Sequence, residues 1–168
     1  AIIKTYATKY GFDWRLMAAQ AFVESEFNPK AKSWAGARGL FQVMPRTAKE
    51  LGFSDLENPD QGIHAGIKYM NHLMGRFNKS LPFRQRLRFA LAAYNVGLGH
   101  VRDARRLARE QGFNPDRWFG NVEKAMLMLQ HPTHCKRARF GYCRGSEPVQ
   151  YVSKIQSLYD AYTELVKP

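Results

Sequence analysis

The stretch Asp13–Pro45, DWRLMAAQAFVESEFNPKAKSWAGARGLFQVMP, decides how the rest of the chain is read. Asp13 is a natural N-cap, and the residues after it repeat with helical spacing up to about Phe27. Asn28-Pro29 closes that helix, because the residue before a proline is pushed out of the α region. On a wheel of about 100° per residue, Leu16, Val23 and Phe27 cluster together, and Met17 and Ala21 continue the same apolar arc. Glu24 falls inside that arc, roughly 80° from Leu16, whereas Glu26 lies at roughly 280°, on the side expected to meet water. A carboxyl facing the apolar side of its own helix is costly to ionise, so its pKa should rise toward neutrality. That is the property a general acid needs. The bland reading is a carboxyl satisfied by a buried Tyr or a backbone amide, and helix spacing alone favours it.

Two neighbours sharpen the first reading. No Asp or Glu occurs between Phe27 and Lys49. The small-residue run Gly36-Ala37-Arg38-Gly39-Leu40-Phe41-Gln42 lets backbone approach a ligand closely.

Outward from this stretch, helical periodicity continues and no alternating strand pattern stands out. Pro45 opens a short helix that Gly52 closes. Asn58-Pro59-Asp60-Gln61 starts another, with Asn58 as cap, a core stripe of Ile63, Ile67, Met70 and Met74, and Gly75 as a stop. A helix follows from Pro82 to Tyr94, broken at Asn95-Val96-Gly97-Leu98-Gly99. Val101, Ala104, Leu107 and Ala108 mark a basic helix ending at Gly112, with Arg102, Arg105, Arg106 and Arg109 on its outer side. Asn114-Pro115 and Asn121 are start signals, and Pro132 is a stop. Val152, Ile155, Tyr159, Tyr162 and Val166 give the last helix its stripe. The expectation is one all-α domain of 168 residues with loops at 28–44, 95–99 and 131–145.

The chain carries 26 Lys plus Arg against 14 Asp plus Glu, a net charge of +12, which favours an anionic partner without choosing among them. No apolar run is long enough for a spanning helix, and no signal-peptide pattern opens the chain at Ala1. Cys135 and Cys143 are the only cysteines. A local disulfide in an oxidising compartment, two free thiols, or a zinc set with His131 and His134 all remain open.

Several separated motifs resemble one family. Glu24-Ser25, Asn28-Pro29, Ser33, Gly39-Leu40-Phe41-Gln42-Val43-Met44-Pro45 and Ala93-Tyr94-Asn95 occur in the order seen in family 1 lytic transglycosylases. The segment 100–120 and Gly145-Ser146-Glu147-Pro148 look most like the membrane-bound lytic transglycosylase F subgroup. The resemblance implies a lysozyme-like helical fold and cofactor-free cleavage of the peptidoglycan glycan strand, with Glu24 as acid and base. It implies that Ser33, Gln42 and Met44 line the sugar cleft, that Tyr94, Asn95 and Tyr151 lie near the catalytic carboxyl, and that Glu147 contacts the substrate's far portion. Phe41 stands where the family often has Met, and Glu147-Pro148-Val149-Gln150 where it often has Glu-Thr-Arg.

Most glycosidases use two carboxylates, and only one is well placed here, which fits assistance by the sugar's own N-acetyl group. The resemblance also implies a periplasmic place in the bacterial envelope, with any outer-membrane association through segments outside this chain. It further implies a monomer that is a module of a longer precursor. Two other functions fit parts of the sequence. One is a hydrolytic muramidase of the same fold. The other is a basic helical nucleic-acid binder, which would leave Glu24 without a task.

Overall fold

The computed structural model describes all 168 residues. Nine α-helices make up nearly all of the regular structure: α1 Ile2–Tyr10, α2 Trp14–Ser25, α3 Pro45–Leu51, α4 Pro59–Met74, α5 Phe83–Val96, α6 Leu98–Glu110, α7 Glu123–Met128, α8 Pro132–Cys135 and α9 Ser146–Leu165. The only strand-like pairing is two isolated antiparallel bridges, Lys32 with Arg38 and Arg38 with Val43. The fold is all-α, as the periodicity requires. Packing groups the chain into two compact units, Ala1–Asn71 with Lys154–Pro168, and His72–Ser153.

In the first unit, Asp13 caps α2 by accepting from the Arg15 backbone N–H at 3.0 Å. The helix leaves the α region at Glu26 and Phe27, both left-handed at φ 52° and 63°, before Asn28-Pro29 is reached. Phe27 therefore does not continue the apolar arc and is 44% exposed, against the wheel's expectation. The residues from Arg15 to Ala21 are buried on every side of the helix. Three alanines in that run keep the helix thin enough for its neighbours to surround it.

α1 is a helix the sequence reading passed over. It ends at Gly11, whose φ of 80° needs no Cβ penalty, and it reaches α4 through Tyr6 Oη to Asp60 at 2.7 Å and Tyr10 Oη to His64 Nε2 at 2.8 Å. Asn58 caps α4 by accepting from the Gln61 N–H at 3.1 Å. Gln61 does not return the bond as a capping box would. Its side chain accepts instead from the Ser54 and Asp55 N–H groups.

In the second unit the expected loop at 95–99 shrinks to one residue. α5 runs through Asn95 and Val96, Gly97 turns the chain at φ 98° and ψ 149°, and α6 begins at Leu98 and ends at Glu110. Pro132 starts α8 instead of stopping a helix, since its missing N–H costs nothing at the first helical position. Asn114 makes a turn by accepting from the Asp116 N–H, and Asn121 accepts from the Asn114 N–H. The backbone between them and α7 is kinked at Phe119 and Gly120. At the other end of the chain, the α9 stripe runs out into solvent at Val166.

Candidate active site

Glu24 sits on the last turn of α2 and is half-buried. Its neighbour fixes the chain that follows: the Ser25 hydroxyl lies 3.1 Å from the Ala21 carbonyl and 2.8 Å from the Leu40 carbonyl. The end of α2 is thus tied to the middle of the 28–44 loop. That loop is rigid by construction. Arg38 and Val43 exchange both backbone hydrogen bonds, at 3.0 and 3.2 Å, and the Gly39 N–H donates to the Ala31 carbonyl at 2.9 Å. Gly39 has φ 83°, and a Cβ there would collide with the Leu56 carbonyl, so no other residue fits.

Gln42 is a non-glycine residue at φ 50°, in the left-handed region. Its Nε2 donates to the carbonyls of Ala31 and Gly39 at 3.0 and 2.9 Å. With both amide protons engaged, Gln42 can offer a ligand only its amide oxygen. The Ser33 hydroxyl accepts from the Ala37 N–H at 2.9 Å, which leaves its own proton to donate. Met44 is 43% exposed and caps α3 without a side-chain bond. Ser33, Gln42 and Met44 therefore belong to one braced loop.

The other sequence-derived candidates lie in the second unit. Tyr94 is half-buried and Asn95 exposed on the last turns of α5. Glu147 and Tyr151 are one helical turn apart on α9, with Tyr151 buried. Glu147 is exposed and meets Arg144 at 3.5 Å, an ion pair that solvent screens heavily. Cys135 and Cys143 are both free thiols. Cys143 is buried, and that burial, with smaller contributions from Glu147 and Asp103, pushes its thiol up to about 11. No group of three or more His, Cys, Asp or Glu side chains is arranged to hold a metal ion.

The sequence reading missed Asp103. This carboxylate is 2% exposed. It accepts from the Arg139 and Phe140 backbone N–H groups at 3.1 and 2.8 Å and meets Arg106 at 3.5 Å. It anchors the segment that leads into α9, where the Phe140 ring lies against Gly99. A signal was available, because Asp103 falls about 40° from Leu107 on the helical wheel, inside the apolar arc. Arg105, expected on the outer face, is half-buried instead: it donates to the Pro115 carbonyl and Asp116 and lies over the Phe89 ring at 4.8 Å.

This fold is the one seen in solved lytic transglycosylases. The structure superposes on the lytic transglycosylase Slt of Pseudomonas aeruginosa with a TM-score of 0.68 at 24% identity, covering 97% of this chain and 23% of that one. For the 70 kDa soluble lytic transglycosylase of Escherichia coli the TM-score is 0.63 at 28% identity, over 98% of this chain and 24% of the other. In sequence, the chain is 47% identical over 148 residues to the membrane-bound lytic murein transglycosylase F of Shewanella halifaxensis, a match covering 88% of this chain and 31% of that protein. The chain thus spans about a third of the length of the curated relatives it matches. The transglycosylase SLT domain family matches residues 1–116. The chain belongs to that family.

Proposed function

We propose that this chain is the catalytic module of a peptidoglycan lytic transglycosylase, acting in the bacterial envelope, with Glu24 as its acid and then its base. The observation that carries the reading is the family match over residues 1–116, which contains Glu24-Ser25, the braced loop through Pro45, and Tyr94-Asn95. The loop supports it physically: Ser33 has a proton to donate, Gln42 an oxygen to accept, and no carboxylate competes from Phe27 to Lys49.

In this reading protonated Glu24 donates to the bridging oxygen between N-acetylmuramic acid and N-acetylglucosamine, and the C1–O4 bond breaks. The neighbouring acetamido oxygen relieves the positive charge on C1. Anionic Glu24 then takes the proton of the muramic C6 hydroxyl, whose oxygen attacks C1 and closes a 1,6-anhydro ring. Glu24 ends protonated as it began, and no water is consumed. Family resemblance assigns Tyr94 and Tyr151 to hold the carboxyl, Asn95 the acetamido group, and Glu147 a contact with the far portion of the substrate.

Mass spectrometry of sugars released from purified peptidoglycan tests this. Muropeptides ending in anhydro-muramic acid are expected from the wild type, and Glu24→Gln should lower kcat by roughly 10²- to 10⁴-fold, the range for losing a general acid–base. Products one water heavier, with a reducing end, would mean a hydrolase and would overturn the lyase reading.

A further inference from the structure

The turn that carries Ser33 also displays the most exposed large apolar side chain in the molecule. Trp34 is 100% exposed, although an indole is among the groups that gain most from burial. Exposed apolar residues are common where the chain is loosely held or ends, as at Leu165 on the last turn of α9. Trp34 is different, because its backbone is pinned. The Gly36 N–H donates to the Ser33 carbonyl at 3.0 Å, closing a β-turn with Trp34 at its first corner. The Ser33 N–H donates to Ala37, and the Ala37 N–H returns to the Ser33 hydroxyl, both at 2.9 Å. Gly36 supplies the φ of 100° the turn requires. One braced turn therefore presents the Ser33 hydroxyl and a bare indole, and it runs close enough to Met44 that a methyl added at Gly36 would come to 4.0 Å from Met44 Cε.

We infer that Trp34 is a further saccharide-binding residue, a stacking platform that extends glycan-strand binding beyond Ser33, Gln42 and Met44. The inference rests on the proposed action on peptidoglycan. An indole face is electron-rich, and the C–H bonds on the apolar face of a pyranose ring turn their positive ends toward it. A platform of this kind works best when it is rigid before the ligand arrives, since little freedom is then lost on binding. The neighbouring sequence suits an acidic polymer: Lys30 and Lys32 lie within four residues of Trp34 and are exposed, and no acidic residue interrupts 27–49. The next cations, Arg38 and Arg46, are partly offset by Glu57 at 3.9 Å and Glu50 at 3.5 Å. An exposed Trp among lysines also suits an anionic lipid surface. The turn it shares with Ser33, and the closeness of that turn to Met44, favour the glycan.

The test is equilibrium binding in the full 168-residue chain carrying Glu24→Gln, so that strands are not consumed, with Trp34→Ala and Trp34→Phe added singly. Ligands are glycan strands stripped of stem peptides, strands retaining them, and vesicles rich in phosphatidylglycerol. Trp34→Ala should bind both kinds of strand roughly tenfold more weakly, as for loss of one aromatic anchor, and Trp34→Phe should recover most of the affinity. Unchanged thermal unfolding is expected, because the side chain touches nothing that folding needs. The proposal is overturned by strand affinity equal to that of the parent, by a loss confined to peptide-bearing strands, by a loss seen only on vesicles, or by a parent that binds no strands. The lyase reading fails separately, on the product masses, which do not depend on Trp34→Ala.

Discussion

Asp13 shows how much one side chain can carry. Its Oδ1 caps α2 and accepts from Arg15 Nε at 3.0 Å, and its Oδ2 accepts from Arg15 Nη2 at 2.7 Å and from Tyr159 Oη at 2.8 Å. Arg15, itself buried, donates its remaining Nη1 to the Val166 carbonyl. The Arg15 side chain holds the Asp13 carboxyl at about 2, below its ordinary 3.8, with Tyr159 and the Arg15 N–H helping against the cost of burial. Since the folded-state value is depressed, the stabilisation is complete above about pH 4 and is lost as pH falls toward 2. Solvent reaches part of the pair, so its pH-dependent share is about 1 kcal/mol. Asp13→Ala removes the cap and strands a buried guanidinium, and should cost about 3 kcal/mol. Asp13→Asn keeps a cap acceptor, and should cost about half as much while flattening the acid limb of stability between pH 4 and 2. Denaturant melts of the three proteins from pH 2 to 7 check both statements. An acid limb in Asp13→Asn identical to the wild type would show that another carboxylate controls it.

At the scale of elements, the loop beside Glu24 is held in place by a helix that lacks a side chain. A Cβ on Gly66 of α4 would collide with the ring of fully buried Phe41, so the ring can seat only against bare helix backbone. Gly66→Ala gains about 1 kcal/mol of helix propensity, but overpacking a filled core costs about 1–3 kcal/mol or more. The expected outcome is a net loss of about 1–2 kcal/mol in thermal or urea unfolding, and under the proposed function activity on peptidoglycan should fall further than the lost stability explains, because Phe41 lies next to Gln42. A stabilised Gly66→Ala protein would refute the packing argument.

The same comparison shows which elements the sequence made legible. Asp13, Asn58, Pro45 and Gly52 act as the caps and stops their chemistry announces, since capping is decided within one turn of chain. Breaks were harder. Asn95 through Gly99 contains turn-forming residues, yet α5 carries Asn95 and Val96 along, and Gly97 alone makes the corner. Nor does periodicity report that Phe41 needs Gly66, or that Asp103 needs the N–H groups of residues 139 and 140, because those partners lie 25 and 36 or more positions away. Of the candidate site, Glu24 and the loop residues could be read from motif order, whereas Trp34 could not, since only solvent exposure in the fold sets it apart.

For the whole molecule the governing quantity is charge, and it is fully legible in composition. A net charge of +12 over 168 residues creates a field that draws in anionic polymers. Part of that charge is spent locally: Arg15 on Asp13, and Arg105 on Asp116 at 3.0 Å. Much of the rest is open to solvent, as at Arg102 and Arg109 of α6 and Lys30 near the candidate site. If the substrate is peptidoglycan, whose stem peptides carry carboxylates, this field should act on encounter and not on bond cleavage. Raising ionic strength from 0.01 to 0.15 M shortens the screening length from about 30 to 8 Å, so KM on native peptidoglycan should rise several-fold while kcat holds. Glycan strands stripped of their stem peptides keep only the lactyl carboxylates, and their KM should respond less steeply. Steady-state rates on the two substrates across that salt range make the comparison. Equal salt slopes would mean that the positive surface does not read stem-peptide charge, and a change confined to kcat would place the effect of salt on the proposed acid and base, Glu24, instead.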